Sequence, residues 1–386
     1  MMFDENLKYL DQEGLLRKIF DRGNASGGYR IPPLAHIEIA GVNYVNFASN
    51  DYLGLSASPA LVDAAKRALA SFPFGAGASR LLSGGTTYHA RLEEAIARFK
   101  KTEAALVFNS GYQANVSNIS ALAREGDVIF SDELNHASIV DGCRLSKAKR
   151  VVFKHRNIDH LSYLMRTEKA ANMVVISDTV FSMDGDVAPL SELYSLCASM
   201  PNTILYLDDA HGTGVLGEGH GALAHFNLKP EPWILQMGTF SKALGSFGAF
   251  IAGSRVMIDW LINTARGFIY STALPPCVTA ASATAIEIIE GDKSIVERLW
   301  ENQRRVTDGL LNAGFDVMCK DTPIIAVSVG DIKETLDFSA KLKQRRIYAP
   351  AIRPPTVRTP RIRITVSAAH TEKDIKMLIN AFSAVR

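Results

Sequence analysis

Thr203-Ile204-Leu205-Tyr206-Leu207-Asp208 runs apolar into a carboxylate, and Gly238-Thr239-Phe240-Ser241-Lys242-Ala243-Leu244-Gly245 follows the next apolar run, ILQM at 234–237. Runs of the same kind recur upstream: ALVF at 105–108, VIF at 128–130, VVF at 151–153 and MVVI at 173–176. Amphipathic stretches of helical period separate most of them. Strands read as continuous apolar runs when helices cover both faces of a parallel sheet, so this alternation predicts an α/β domain. Further out, residues 36–47 alternate with period two around Gly41 and predict two strands. Residues 4–20 carry Leu7, Leu10, Leu15 and Ile19 at helical spacing. Beyond a helical stretch at 277–313, strand 324–329, helix 333–346, strand 361–366 and helix 371–385 predict a smaller α+β unit. The expected organisation is an N-terminal helix and strand segment at 1–49, then a large domain at 50–276 with a mostly parallel central sheet flanked by helices. Connecting helices and a small C-terminal domain follow at 277–386.

The chain has 386 residues, 47% hydrophobic and 21% charged, the balance of an ordinary globular protein long enough for two domains. A formal net charge of +2 gives no reason to expect a nucleic-acid partner. Six arginines (345, 346, 353, 358, 361 and 363) form a modest basic cluster, either a solvated face or a contact for a polyanionic substrate such as a coenzyme A thioester. Cys143, Cys197, Cys277 and Cys319 form no CxxC or Cys/His ligand pair and read as core residues of a reducing compartment. The N-terminus lacks the basic and apolar regions of a signal peptide, and no run of about 18 apolar residues predicts a membrane span. The cytoplasm is the expected location.

In open α/β sheets ligands bind beyond the carboxyl ends of the strands. Asp208 ends one strand and Lys242 follows the next, 34 residues on, so the two could face one crevice. A lysine beside glycines and hydroxyls after a buried strand is a candidate Schiff-base former, because burial lowers its pKa. Pyridoxal phosphate (PLP) chemistry needs such a lysine, with a carboxylate that keeps the pyridine nitrogen protonated. Taken singly, each also reads as a surface lysine in a turn and an aspartate capping a loop. Phe108 to Asn115 takes a strand directly into a helix, whose N-terminus suits a phosphate, or is simply an ordinary helix start capped by Ser110. Thr239 and Ser241 could add hydroxyl donors. His136 follows another strand end, where it could stack on an aromatic cofactor or serve as a plain hydrogen-bonding residue; His211, three residues after Asp208, is open to the same two readings.

Three competing constellations are weaker. Gly212-Thr213-Gly214-Val215-Leu216-Gly217 matches GxGxxG, but Glu218-Gly219-His220-Gly221 is too glycine-rich to start the helix of a dinucleotide site. Asp208, Asp209 and His211 lack a second cluster that would complete a metal site, so no metal is expected. Ser110 has Phe108 where the nucleophile elbow GxSxG needs its first glycine.

Together the segments SNDYLGL (49–55), SRLLSGGTTYHARLE (79–93), SDELNHASIVDGCRLS (131–146), FSMDGDVAPL (181–190), LDDAHGTGVLGEGHG (207–221), GTFSKALGSFG (238–248), IYSTALPP (269–276) and AIRPPTV (351–357) resemble the α-oxoamine synthase family of fold-type-I PLP enzymes. The resemblance covers essentially the whole chain, and the motifs are specific as a set. It implies that Lys242 carries the cofactor as a Schiff base and then moves the proton at the substrate Cα. Asp208 would pair with the pyridinium nitrogen, His211 and Ser182 would contact the phenolic oxygen, and His136 would stack on the ring and reach the substrate's carboxylate. Gly111, Tyr112 and Thr239 would hold the phosphate end, while Arg17, Thr356 and Arg363 would bind substrate. It further implies a homodimer that shares its active sites, and a decarboxylative condensation. DELNHASIVDGCRLS and AIRPPTV are most similar to the branch that joins L-alanine to a pimeloyl thioester of coenzyme A or acyl carrier protein. Sibling branches join glycine to acetyl- or succinyl-CoA, or serine to palmitoyl-CoA. Arg358-Thr359-Pro360 departs from the family's Pro-x-Gly-Thr-like turn, in a loop that by the resemblance borders the acyl group. A non-catalytic PLP-fold binding protein is the alternative from another class, and the presence of Lys242, Asp208, His136 and His211 argues against it.

Overall fold

A computed structural model of the chain describes residues 2–12, 15–16, 19, 22–23 and 34–386. The first helix, Met2–Gln12, is shorter than its apolar spacing predicts. Leu15 and Leu16 both donate their amides to the Leu10 carbonyl, a turn that stops the helix, and Ile19 is exposed. Next come β1 (Arg22–Gly23), β2 (His36–Ile39) and β3 (Val42–Asn46), the last two an antiparallel pair around the turn at Gly41.

Seven strands make the central sheet: β4 (Ala104–Phe108), β5 (Val128–Asp132), β6 (Lys149–Phe153), β7 (Met173–Asp178), β8 (Thr203–Asp208), β9 (Ile234–Thr239) and β10 (Ala249–Gly253), in the order β4-β10-β9-β8-β7-β5-β6. Six point the same way; β10 runs against both neighbours. Every residue of β4, β5, β9 and β10 is buried. That is the physical origin of their uninterrupted apolar runs, because helices pack on both faces and leave none for water. One face carries a core built around Phe99, Phe130, Phe153, Phe240 and Phe250; the other carries Phe108, Ile129, Ile176, Tyr206 and Ile251.

The remaining strands are β11 (Ile324–Val327), β12 (Ile347–Tyr348), β13 (Ala351–Ile352) and β14 (Arg361–Thr365). β11, β14 and β13 form a small antiparallel sheet. β12 joins β3 in parallel, so the N-terminal strands share a sheet with the C-terminal region. They also share a core, with Val45 and Phe47 packed among Ile325, Ile362, Leu378 and Phe382. The helical stretch 277–313 is two helices, Pro276–Gly291 and Ser294–Asn312. Of the six clustered arginines, Arg361 and Arg363 are buried, so the cluster is not one solvated face. The four cysteines are buried and unpaired. No helix among the described residues is long and apolar enough to cross a membrane.

Candidate active site

The carboxyl ends of β4, β5, β7, β8 and β9 lie along one edge of the sheet, and a cavity of about 220 Å³ opens there. Its walls bring together Gly111, Tyr112, His136, Ser182, Asp208, His211, Thr239 and Lys242 from five separate stretches of chain. Asn115, Ser138 and Asp178 complete the polar lining.

The lysine is half-buried. Its Nζ lies 2.8 Å from His211 Nε2, and His211 Nδ1 lies 2.7 Å from the Tyr52 hydroxyl. Burial lowers the Lys242 pKa to about 8, although Asp208 and Asp178 pull the other way. Burial, followed by the charge of Lys242, holds His211 well below the usual histidine range and therefore neutral. A neutral imidazole and a lysine near neutrality can exchange a proton with a bound substrate at little cost.

Asp208 ends β8, beside Asp178 at the end of β7 in the parallel register. Its Oδ2 accepts from Asn115 Nδ2 at 2.7 Å and its Oδ1 from the Ala210 amide at 3.0 Å. Asn115 is itself fixed: its Oδ1 accepts from the Tyr206 hydroxyl at 2.9 Å, and its Nδ2 reaches Ser138 Oγ at 2.9 Å. Burial raises the pKa of Asp208, partly offset by Lys242. It raises that of Asp178 further, with Asp208 adding to the effect. Two buried carboxylates side by side are short of positive charge, and a cationic ring nitrogen would relieve them.

The opposite wall is the start of helix Gly111–Leu122. Ser110 caps it by accepting from the Gln113 amide at 3.2 Å. The Gly111 and Tyr112 amides occupy the first two helical positions, which have no acceptor within the helix, so they can serve an anion in the cavity. Thr239 and Ser241 differ from expectation. Their hydroxyls donate to the Gly248 carbonyl at 2.8 and 3.2 Å, so each must turn away from it to serve a phosphate. The cavity thus offers amide donors, carboxylates and an amine, the donor set that an aromatic aldehyde phosphate with a basic ring nitrogen requires.

His136 caps helix Ala137–Leu145 through Nδ1, which lies 2.7 Å from Ser138 Oγ and accepts from the Ser138 amide at 3.2 Å. Its own amide donates to Asp178 Oδ2 at 2.7 Å, which fixes the ring at the cavity wall. Arg363 is buried behind Ser182. Its Nε donates to the Ser182 carbonyl at 2.7 Å, Nη1 to Thr365 Oγ1 at 2.8 Å and Nη2 to Asn50 Oδ1 at 3.2 Å. Thr356 does not line this cavity; it belongs to a neighbouring one of about 550 Å³ that shares Ser182. Arg17 lies outside the described residues.

Behind the turn joining Asp208 to His211, Lys100 and Asp209 form a fully buried ion pair at 2.8 Å. Lys100 Nζ also donates to Thr213 Oγ1 at 3.0 Å and the His220 carbonyl at 2.8 Å, while Asp209 Oδ1 accepts from Thr179 Oγ1 at 2.7 Å. Gly212, the first glycine of the GxGxxG-like stretch, and Gly221 beyond it make room for this pair. A Cβ at Gly212 would sit 2.1 Å from Asp209 Oδ1, and one at Gly221 (φ +105°) would sit 2.0 Å from Oδ2. Among the described residues no cluster of His, Cys, Asp or Glu is arranged to hold a metal ion.

Sequence reading singled out Lys242, Asp208, His136 and His211 but gave no role to Tyr52, Asn115 or Asp178. Asp178 carries the same signal as Asp208, a carboxylate at the end of an apolar run. Tyr52 has none, because its partner is 159 residues away.

A family model for class I and II aminotransferases matches residues 42–382. An 8-amino-7-oxononanoate synthase from Geobacter metallireducens is 45% identical over 389 residues, covering 99% of this chain and 97% of that protein. Serine palmitoyltransferase from S. paucimobilis, solved with a bound PLP–myriocin adduct, superposes with a TM-score of 0.91 at 29% identity, over 99% of this chain and 96% of the other. An 8-amino-7-oxononanoate synthase from Francisella tularensis superposes with a TM-score of 0.77 at 27% identity, over 88% and 97%. With Lys242 and Asp208 set in one cavity at the strand ends, the chain belongs to the class I and II aminotransferase family and, within it, to the α-oxoamine synthases, enzymes that work with pyridoxal 5′-phosphate.

Proposed function

We propose that this enzyme is an 8-amino-7-oxononanoate synthase of biotin formation: it condenses L-alanine with a pimeloyl thioester, of coenzyme A or acyl carrier protein, and releases carbon dioxide and the thiol. The observation that carries the reading is the amine of Lys242, held 2.8 Å from a neutral His211 in the cavity that Asp208 also lines. The relatives carrying this name, 43–45% identical over nearly the whole chain, support the choice of substrates.

PLP, when bound, supplies an electron sink that stabilises negative charge at the substrate Cα, which water cannot do. Lys242 would hold the cofactor, and its freed amine would take the proton at the substrate Cα and later return one. Asp208, buried and hydrogen-bonded by Asn115, would keep the ring nitrogen protonated. His136 would stack on the ring, His211 and Ser182 would contact its phenolic oxygen, and Gly111, Tyr112 and, once turned from the Gly248 carbonyl, Thr239 would hold the phosphate. Arg17, Thr356 and Arg363 would bind substrate, with Arg363 and His136 at its carboxylate, a role for which a guanidinium's paired donors are suited. In the condensation, a bond forms between alanine Cα and the thioester carbonyl carbon while the carbon–sulfur bond breaks. The alanine carboxylate then leaves as carbon dioxide, and a proton takes its place.

The enzyme acts in the cytoplasm as a homodimer. Leu82, Phe74, Tyr270 and Phe247 are large apolar side chains left 81, 74, 71 and 55% exposed, which supports their being covered by a second copy. Assaying alanine, glycine and serine, each with pimeloyl-, acetyl- and succinyl-CoA, tests the substrates. Carbon dioxide release is expected with alanine and the pimeloyl thioester; release only with glycine would overturn the proposal.

A further inference from the structure

His155 follows β6, outside the cofactor cavity, and its imidazole joins two carboxylates carried by different loops. Nδ1 lies 2.9 Å from Asp132 Oδ1, and Nε2 lies 2.8 Å from Asp186 Oδ2. Asp132 ends β5 and leads, four residues later, to His136. Asp186 stands four residues after Ser182, in a turn closed by the Phe181 amide donating to the Asp186 carbonyl at 2.9 Å. The Phe181 ring packs edge-on against the imidazole, with centroids 4.4 Å apart.

We propose that His155 is a positioning residue: its ring staples the His136 loop to the Ser182 loop and so fixes the width of the slot between them that receives the cofactor ring. Burial works against a charged His155, but the bonds to Asp132 and Asp186 outweigh it and raise its pKa to about 9. At neutral pH both ring nitrogens therefore donate, one to each carboxylate. The remaining charged neighbours do not replace it. Arg156 Nη1 reaches Asp186 Oδ2 only at 3.4 Å, and Glu133 Oε1 accepts from the His155 backbone amide at 3.0 Å. The His136 amide and Asn135 tie the His136 loop to Asp178 at the end of β7. Four residues beyond Ser182, Asp186 Oδ1 is buried without a hydrogen-bond partner, so there the link through Asp186 rests on the oxygen that His155 holds.

The test uses the holoenzyme and two variants, His155→Gln, which can serve one carboxylate, and Asp186→Asn, which weakens only the arm to the Ser182 loop. Three quantities are read: the visible circular dichroism of the bound cofactor, its dissociation constant by fluorescence titration, and kcat against KM for the amino acid. His155→Gln is expected to change the visible dichroism and to weaken cofactor binding and kcat about tenfold each, the worth of one charge-assisted hydrogen bond, with KM nearly unchanged. Asp186→Asn moves the same readouts in the same direction by less. A lowered unfolding midpoint with dichroism and cofactor affinity unchanged would overturn the proposal. Should His155→Gln not fold, Asp186→Asn decides on the same readouts. Dichroism and affinity concern the cofactor, so their outcome is independent of which acyl thioester the enzyme uses.

Discussion

Replacing Asp209 by asparagine removes the negative half of the buried pair with Lys100 and leaves an ammonium group with no exposed surface facing a neutral amide. Lys100 keeps its bonds to Thr213 and the His220 carbonyl, so the loss is of charge rather than of packing. Removing one partner of a buried pair costs about 3–5 kcal/mol, because the other charge stays desolvated. Lys100→Met costs a similar amount, for the same reason with the sign reversed. Combining the two neutralises both, so the double variant should lose about as much as either single one instead of the sum. The coupling is then about 3–5 kcal/mol, at or above the upper end for residues in one network. Urea unfolding of the apo-protein, followed by tryptophan fluorescence across the four-member cycle, measures it. Additive losses agreeing within about 0.5 kcal/mol would refute the pair as the support of the Asp208–His211 turn, as would single losses under about 1 kcal/mol.

Three further predictions concern the cavity. Capture of PLP by the apo-protein should accelerate as pH rises through about 8, because only the neutral amine attacks an aldehyde and Lys242 loses its proton there. At neutral pH the neutral fraction exceeds that of an ordinary lysine on the order of a hundredfold; stopped-flow absorbance reads the rate, and a midpoint near that of free lysine contradicts the assignment. Asp208→Asn leaves the ring nitrogen without a carboxylate partner and should lower kcat about 10²–10³-fold, measured in steady state with cofactor saturating. Tyr52→Phe strips His211 Nδ1 of its 2.7 Å partner and should cost about 1–3 kcal/mol, seen as at least a several-fold drop in kcat with cofactor affinity unchanged.

How much of this was legible in the sequence depended on whether the signal was local. β4, β5, β7, β8 and β9 announced themselves because burial on both faces demands unbroken apolar runs, whereas β6 is a mostly exposed edge strand whose VVF run reads apolar without that burial. β10, Ala-Phe-Ile-Ala-Gly, did not announce itself, since its small residues and flanking glycines make a weaker apolar run. Its antiparallel direction is set by pairing with β4 and β9, which no local pattern records. Asp208, Lys242 and His136 were found because a strand end is a local feature and ligands bind there. The pairing of β3 with β12 joins residues about 300 apart, and the His155 staple joins three segments by side-chain geometry alone. The GxGxxG match shows the converse: a local pattern whose glycines are required by close packing, Gly212 against Asp209, Gly214 against Ala243 and Gly217 against Ala224 and His225.

The central claim is that Lys242 moves the proton at the Cα of alanine. Exchange of the alanine α-hydrogen in deuterated buffer, followed by proton NMR with PLP present and no thioester, tests it directly. The wild-type enzyme should exchange that hydrogen, and Lys242→Ala should lose about 10²–10⁴ in rate, the worth of a positioned general base. Exchange by Lys242→Ala at the wild-type rate would contradict the account.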